Sequence, residues 1–300
     1  RRWYQILLKV AGAFCYHSAP QPVCTFFKLN EGSRSMHPML NTALGVARTT
    51  AEMIYKAYEK VDTIDVEAKG TNDYVTQVDR ASEARIIDGL QKRYPQHCYL
   101  GEENGLIEGT DKDYVWVIDP LDGTTNFIHG IPQFAISIAL KVRGQLEVGV
   151  IINPVSKEEF TAAKGRGAQM NGRRMRVSKQ AKLEGALLST GFPFRPDQAK
   201  ILDGYMGMFR DFTRNTAGIR RAGAAALDLA YVAAGRYDGF WEFGLSEWDM
   251  AAGALMVTEA GGLIGDPRGG MDHLKTGDIV CAPPKLFKAM LQTIHPHMPK

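Results

Sequence analysis

Two acids stand three residues apart in Val117-Ile118-Asp119-Pro120-Leu121-Asp122-Gly123-Thr124-Thr125-Asn126-Phe127, and a glycine and two hydroxyl residues follow them directly. The run before them, Tyr114 to Ile118, is apolar and reads as a buried strand. Proteins of the α/β type place their chemistry at the carboxyl ends of such strands. Asp119 and Asp122 delivered there repel each other unless a cation sits between them. Gly123, Thr124 and Thr125 offer backbone N–H groups at a helix start, which suits a phosphate. These residue types point to a divalent-metal and phosphate site. The spacing does not match the Asp-x-Asp pattern of an EF-hand loop or of a phosphatase that forms an aspartyl-phosphate, so no covalent aspartate is expected. The plainer reading is that both acids cap the turn that follows.

Other acids need a partner to matter. Glu102-Glu103 ends a short strand, Cys98 to Leu100, one unit before the central strand. A surface glutamate pair is ordinarily solvated, but an acid at this strand end is positioned to meet Asp119 and Asp122. Ser246-Glu247-Trp248-Asp249 has the form of a capping box, and local sequence alone makes Asp249 a helix cap. Asp79 opens a helix and reads locally as a first-turn acid. Lys69 lies in a polar turn and is solvated unless a phosphate or an acid draws it in. Glu242, in Phe240-Trp241-Glu242-Phe243, either faces solvent by strand alternation or is functional. The histidines show no metal-ligand spacing.

The elements that must position these residues follow from periodicity. Helices are expected over residues 37–60, 78–94, 198–213, 223–235, 246–260 and 285–294. Between the second and third helices, residues 134–142, 146–153, 159–163 and 167–170 read as an antiparallel meander with turns at Arg143-Gly144 and Asn171-Gly172. Further strands are expected at 186–190, 238–243, 263–264 and 279–282. Alternating strands and helices with this meander predict a mixed α/β protein with layered sheets.

Composition narrows the class. The 300 residues are 45% hydrophobic and 23% charged, an ordinary globular balance. The net charge of +3 is concentrated in residues 1–35, which hold five Lys/Arg against one Glu, so the remainder is near neutral and carries no global signature for nucleic acid. Cys15, Cys24, Cys98 and Cys281 fit neither a zinc site nor a disulfide framework, and the reducing cytoplasm is the expected location. At Met36 the character changes to a clean amphipathic helix. Residues 1–35 are read as an upstream extension or disordered arm, with one domain over 36–300 made of a metal-binding lobe (about 36–180) and a second α/β lobe (about 181–300).

Gly101-Glu102-Glu103, Trp116 to Phe127 and Trp248-Asp249-Met250-Ala251-Ala252-Gly253 together resemble the inositol monophosphatase family, most of all its bacterial SuhB-type members. The similarity runs in order from Met36 to nearly the C-terminus. The resemblance implies an αβαβα sandwich of the sugar-phosphatase type, usually a homodimer. It implies a Mg²⁺-dependent, lithium-sensitive phosphomonoesterase that hydrolyses myo-inositol monophosphates or similar polyol monophosphates by direct attack of water. Carried over by position, the metal ligands are Glu103, Asp119, the carbonyl of Leu121, Asp122 and Asp249. Thr124, with Asp79 and Glu103, orients and deprotonates the water. Gly123 and Thr124 amides hold the phosphate, while Gly223, Ala224, Ala225, Glu242 and Asp249 face the substrate. Lys69 takes the position of an accessory lysine near a metal-linked water. Some animal members carry Thr where this chain has Ala224. Thr125-Asn126 is inositol-type, where nucleotide-cleaving relatives carry Lys-Glu, and histidinol phosphate is the alternative substrate. The resemblance also leaves open a non-enzymatic or dual role with transcription antitermination partners and RNA polymerase.

Overall fold

The computed structural model describes residues 37–63, 66–70, 73–193 and 196–298. The expected extension over residues 1–35 lies outside the described residues.

The chain opens with α1 (Pro38–Tyr58), a short hairpin of β1 (Val66–Gly70) and β2 (Asp73–Thr76), and α2 (Gln77–Gln91). Then come β3 (His97–Gly101), β4 (Gly105–Ile107), β5 (Asp111–Asp122) and the five-residue α3 (Thr124–Ile128). The meander follows as β6 (Ala135–Val142), β7 (Gln145–Asn153), β8 (Glu158–Ala163), β9 (Gly167–Met170) and β10 (Arg173–Arg174). The remaining chain forms β11 (Leu187–Thr190), α4 (Leu202–Asn215), β12 (Gly218–Arg220), α5 (Ala225–Ala233), β13 (Gly239–Glu242) and α6 (Glu247–Glu259). It ends with β14 (Leu263–Gly265), α7 (His273–Thr276), β15 (Ile279–Ala282) and α8 (Pro284–Ile294).

The larger sheet has eight strands in the order β10-β9-β8-β7-β6-β5-β3-β4, and the smaller has five in the order β12-β11-β13-β15-β14. Leu44, Ile54, Ile86 and Leu90 of α1 and α2 cover one face of the larger sheet, through Trp116, Ile118 and Ile138. Its other face packs on α5 and α6, which also cover Phe240, Ile279 and Cys281 of the smaller sheet. Tyr205, Phe212, Leu286 and Met290 of α4 and α8 close the far side. Five layers result, and the expected αβαβα sandwich is borne out.

The central layer explains its own composition. Met250 through Val257 of α6 are all buried, because a helix held between two sheets has no solvent face. Small residues set its distance: a Cβ on Gly149 of β7 would come within 3.0 Å of the Ala252 carbonyl oxygen. Ser137 of β6, which pairs with Asp119 at the end of β5, donates from Oγ to the Trp248 carbonyl in the first turn of α6 at 3.2 Å. No helix among the described residues is long and apolar enough to cross a membrane.

Some elements differ from expectation. The residues on either side of the polar turn expected at 69–73 form a hairpin: Val66 to Gly70 pairs antiparallel with Asp73 to Thr76. Backbone pairing makes these strands, and composition registers that weakly. Strands β4 and β12 were not expected either. A 3-10 stretch, Pro196–Ile201, replaces the first turns of the helix expected from residue 198. The helix expected from residue 223 starts at Ala225, because Gly223 takes a φ of +84°.

One buried histidine supplies a test of the first layer. His97 is 8% exposed, and its Nδ1 accepts the Trp116 Nε1–H at 3.1 Å between Tyr94 and Tyr114, whose rings stack on it. Burial holds its pKa below the ordinary histidine value, and Asp111 offsets this only in part. A depressed folded pKa means that stability is complete above about pH 6.5 and is lost as the pH falls below it toward the folded value. The stability advantage of the wild type over His97→Gln should therefore shrink below about pH 6.5. Urea unfolding at pH 7.5 and 5.5 measures this, and a pH-independent difference would contradict it.

Candidate active site

The geometry of the site starts from a break in β5. Side chains three apart on a regular strand point to opposite faces. In β5, Asp119 pairs with Ser137 and Asp122 with Ala135, so two intervening residues oppose one on β6. This bulge resets the alternation and brings both acids to one side. Asp119 is 1% exposed, and its Oδ1 accepts the Leu121 N–H at 2.9 Å. Asp122 Oδ2 accepts the Ala226 N–H at 2.7 Å and so caps α5.

The second half of the site arrives on α6. Asp249 does cap its helix, with the Ser246 N–H donating to Oδ2 at 2.7 Å. The charge of the same carboxyl also acts on Asp119 and Asp122, and Asp249 lines one cavity with Asp122. Capping and a place in the site are therefore both true of Asp249.

Asp79 sits in the first turn of α2 and is 1% exposed. Its Oδ2 accepts from Thr76 Oγ1 at 2.6 Å and the Thr76 N–H at 2.9 Å, while Oδ1 accepts Thr124 Oγ1–H at 2.8 Å. Thr124 Oγ1 also lies 3.1 Å from the Leu121 carbonyl oxygen. Burial pushes Asp79 above the usual carboxylate range, and its hydrogen bonds from Thr76 and Thr124 pull it partly back. The Thr124–Asp79 contact is thus a hydroxyl bonded to a carboxyl that holds protons more tightly than an exposed one.

A cavity of about 470 Å³ opens above these residues, lined by Glu102, Asp122, Gly123, Thr124, Gly223, Ala224, Ala225, Glu242 and Asp249 among others. Gly123 has a φ of +92°, and a Cβ there would stand 2.9 Å from the Gln133 carbonyl oxygen. Asn126 ties α3 to the far wall through Nδ2, which donates to the carbonyls of Gln133 at 2.7 Å and Ala222 at 2.9 Å. The Glu242 carboxyl presses against Gly191, where a side chain would overlap it.

Glu103, expected as a ligand, and Glu102 take different places at this strand end. Strand β3 runs parallel to β5 with Gly101 opposite Ile118, and the Glu102 N–H continues the ladder to the Ile118 carbonyl at 3.2 Å. Continued by one residue, that register would set Glu102 beside Asp119; the Glu102 charge acts on Asp119, and Glu102 lines the cavity. Glu103, one residue on, is not among the lining residues. Its N–H donates to Glu83 Oε2 at 2.9 Å, and its charge acts on Arg80. The signal that identifies Glu102 is strand register, which the Gly-Glu-Glu motif alone does not carry. Lys69 lies on β1, and its side chain is outside the described residues.

Among the cavity residues that had no sequence signal are His129 and Arg221. The Arg221 guanidinium lies over the Phe192 ring, 5.9 Å from its centroid. They face an excess of acids. Burial first, then the charges of Glu102, Asp122 and Asp249, push Asp119 well above the usual carboxylate range. Burial and then Asp249 do the same to Asp122, with Glu242 and Glu102 adding to it. Asp228, buried behind them, is raised by burial and by Glu242 and Asp122.

An anionic ligand entering this cavity requires compensating positive charge. Among the described residues no three His, Cys, Asp or Glu side chains form a ready-made metal cluster. The donor chemistry nonetheless fits a hard divalent cation. Glu102, Asp119, Asp122, Asp249 and the Leu121 carbonyl offer oxygen only, and the clustered carboxyls repel one another unless a cation balances them.

The model of the inositol monophosphatase family matches residues 35–298. The chain is similar to Nus factor SuhB of Pseudomonas aeruginosa, 61% identical over 266 residues that cover 88% of this chain and 98% of the relative. The crystal structure of extragenic suppressor protein suhB from Bartonella henselae is 43% identical and superposes with a TM-score of 0.83, covering 86% of this chain and 98% of that one. An inositol monophosphatase structure from Anabaena is 34% identical with a TM-score of 0.77, covering 86% and 95%.

Proposed function

Because the chain belongs to the inositol monophosphatase family, we propose that it is a Mg²⁺-dependent phosphatase of small polyol monophosphates, myo-inositol monophosphates first among them. The observation that carries this reading is the meeting of Asp122 and Asp249, from opposite halves of the chain, at one cavity beside the Thr124–Asp79 pair.

In this reading Glu102, Asp119, Asp122, Asp249 and the Leu121 carbonyl hold the metal, and Glu102 takes the place expected for Glu103. Bound Mg²⁺ supplies charge neutralisation on the phosphate and acidifies a water. Thr124 Oγ1 accepts a proton from the attacking water as it passes its own to Asp79 Oδ1, whose burial favours keeping it. The amides of Gly123 and Thr124 face the phosphate. Glu242, Gly223, Ala224 and Ala225 line the part of the cavity left for the alcohol, where Glu242 selects hydroxyl donors. Lys69 remains an accessory candidate. The assembly proposed is a cytoplasmic homodimer.

The test is phosphate release from inositol 1-phosphate, β-glycerophosphate, histidinol phosphate, fructose 1,6-bisphosphate and adenosine 3′,5′-bisphosphate, with and without Mg²⁺ and Li⁺. Inositol 1-phosphate should be hydrolysed fastest, only with Mg²⁺, and Li⁺ should inhibit. Glu102→Gln should remove this activity, whereas Glu103→Gln should keep it within a few fold. The reverse ranking would restore Glu103 as the ligand.

A second role is favoured by a relative's name, Nus factor. Association with transcription factors that persists in Asp122→Asn on co-purification from cells would support it, independently of hydrolysis.

A further inference from the structure

Helix α2 carries a second buried carboxyl one turn beyond Asp79. Glu83 is 0% exposed. Its Oε2 accepts the Glu103 N–H at 2.9 Å, and its Oε1 accepts the Asn104 N–H at 2.9 Å and Asn104 Nδ2 at 2.7 Å. A carboxyl buried without donors is costly, and these three offset its lost hydration. The strand end is shaped to receive it: a Cβ on Gly101 would overlap the Glu83 carboxyl. Gly101, Glu103 and Asn104 therefore grip Glu83, while Glu102 between them reaches the cavity on the side of Asp119. Asp79 and Glu83, four residues apart, share one helix face. One holds the Thr124 hydroxyl and the other holds the turn that carries Glu102.

We infer that Glu83 is a positioning residue, whose carboxyl clamps the 101–104 turn so that Glu102 stands beside Asp119 at the metal-binding cavity. Helix α2 thereby places Thr124 and Glu102 in a common frame. The inference rests on the reading of Glu102 as a metal ligand.

Calorimetric titration of the full chain with Mg²⁺, well below its melting temperature, tests it alongside the Mg²⁺ dependence of phosphate release. Glu83→Gln sets an amide nitrogen against backbone N–H groups in the clamp. Removing groups that orient metal ligands typically weakens affinity by about 10–100-fold. Glu83→Gln should weaken Mg²⁺ binding in that range and recover most of its turnover at saturating Mg²⁺. A lowered melting temperature with unchanged Mg²⁺ affinity would reduce Glu83 to a packing role and overturn the inference. Glu83→Ala combined with Gly101→Ala is the second variant, since the new methyl fills space left by the carboxyl. It should regain stability over Glu83→Ala alone without regaining Mg²⁺ affinity, and restored affinity would also overturn the clamp. Glu102→Gln separates the two levels. If it binds Mg²⁺ normally, the ligand assignment fails and the clamp with it. If it loses Mg²⁺ while Glu83→Gln does not, the clamp alone fails.

Discussion

Asp122→Asn is expected to abolish Mg²⁺-dependent phosphate release while the protein stays folded and becomes no less stable. The loss should exceed the roughly 100-fold that outer partners of a metal site are worth, because the substitution removes a ligand charge itself. Stability should survive because the side chain has two separate tasks. As a cap it accepts the Ala226 N–H at the start of α5, and the asparagine oxygen can still do so. As a charge it is opposed by burial and by Asp249, Glu242 and Glu102. A carboxyl whose folded pKa is raised costs stability as the pH rises from the ordinary carboxylate range, about 4, toward the folded value. Without metal at neutral pH, Asn removes that cost. Asp122→Ala should also be inactive but should lose about 1 kcal/mol from the missing cap. Thermal melts in EDTA, paired with phosphate-release assays, distinguish the two variants. Retained activity in Asp122→Asn would remove Asp122 from the metal site.

Thr124→Val should slow the chemical step by about 10²–10⁴-fold, the range that a positioned proton acceptor contributes. The valine keeps the shape of threonine but leaves Asp79 Oδ1 without the 2.8 Å hydrogen bond from Thr124 Oγ1. In a site where Asp79 is 1% exposed, that missing donor should also cost about 1–3 kcal/mol of stability. Metal affinity should change by no more than a few fold, because Thr124 reaches the proposed ligands only through its 3.1 Å contact with the Leu121 carbonyl oxygen, and the carboxyl ligands are untouched. Thr124→Ser restores the hydroxyl and should restore most of the rate. Single-turnover phosphate release with a parallel Mg²⁺ titration makes the comparison. A rate within threefold of the wild type for Thr124→Val would dismiss the Thr124–Asp79 proton route.

Much of this site was legible along the chain because its chemistry is local. A buried strand ending in Asp119 and Asp122, and a glycine and two hydroxyl residues at a helix start, are visible within eleven residues. So was the capping box at Ser246, and it forms as read. The all-apolar run that follows Asp249 announces a buried helix, and α6 does lie between the two sheets. These features depend on short-range backbone geometry and on burial of nearby side chains, which sequence carries directly.

Other features depended on partners distant in sequence. Three-residue spacing on a strand should send Asp119 and Asp122 to opposite faces, and only the bulge against β6 brings them to the same side. The Gly-Glu-Glu motif offers two glutamates; with Gly101 opposite Ile118, Glu102 lines the cavity while the Glu103 N–H donates to Glu83. Asp249 looked like a cap because a cap is all that its own helix requires of it. Glu83 had no signal, since its three donors lie about twenty residues away on another element. The sequence by itself therefore determined which chemical groups are present and which turns and helices offer them. The tertiary structure decided which face each acid takes, because that choice is set by strand register and by the pairing of groups contributed from elsewhere in the chain.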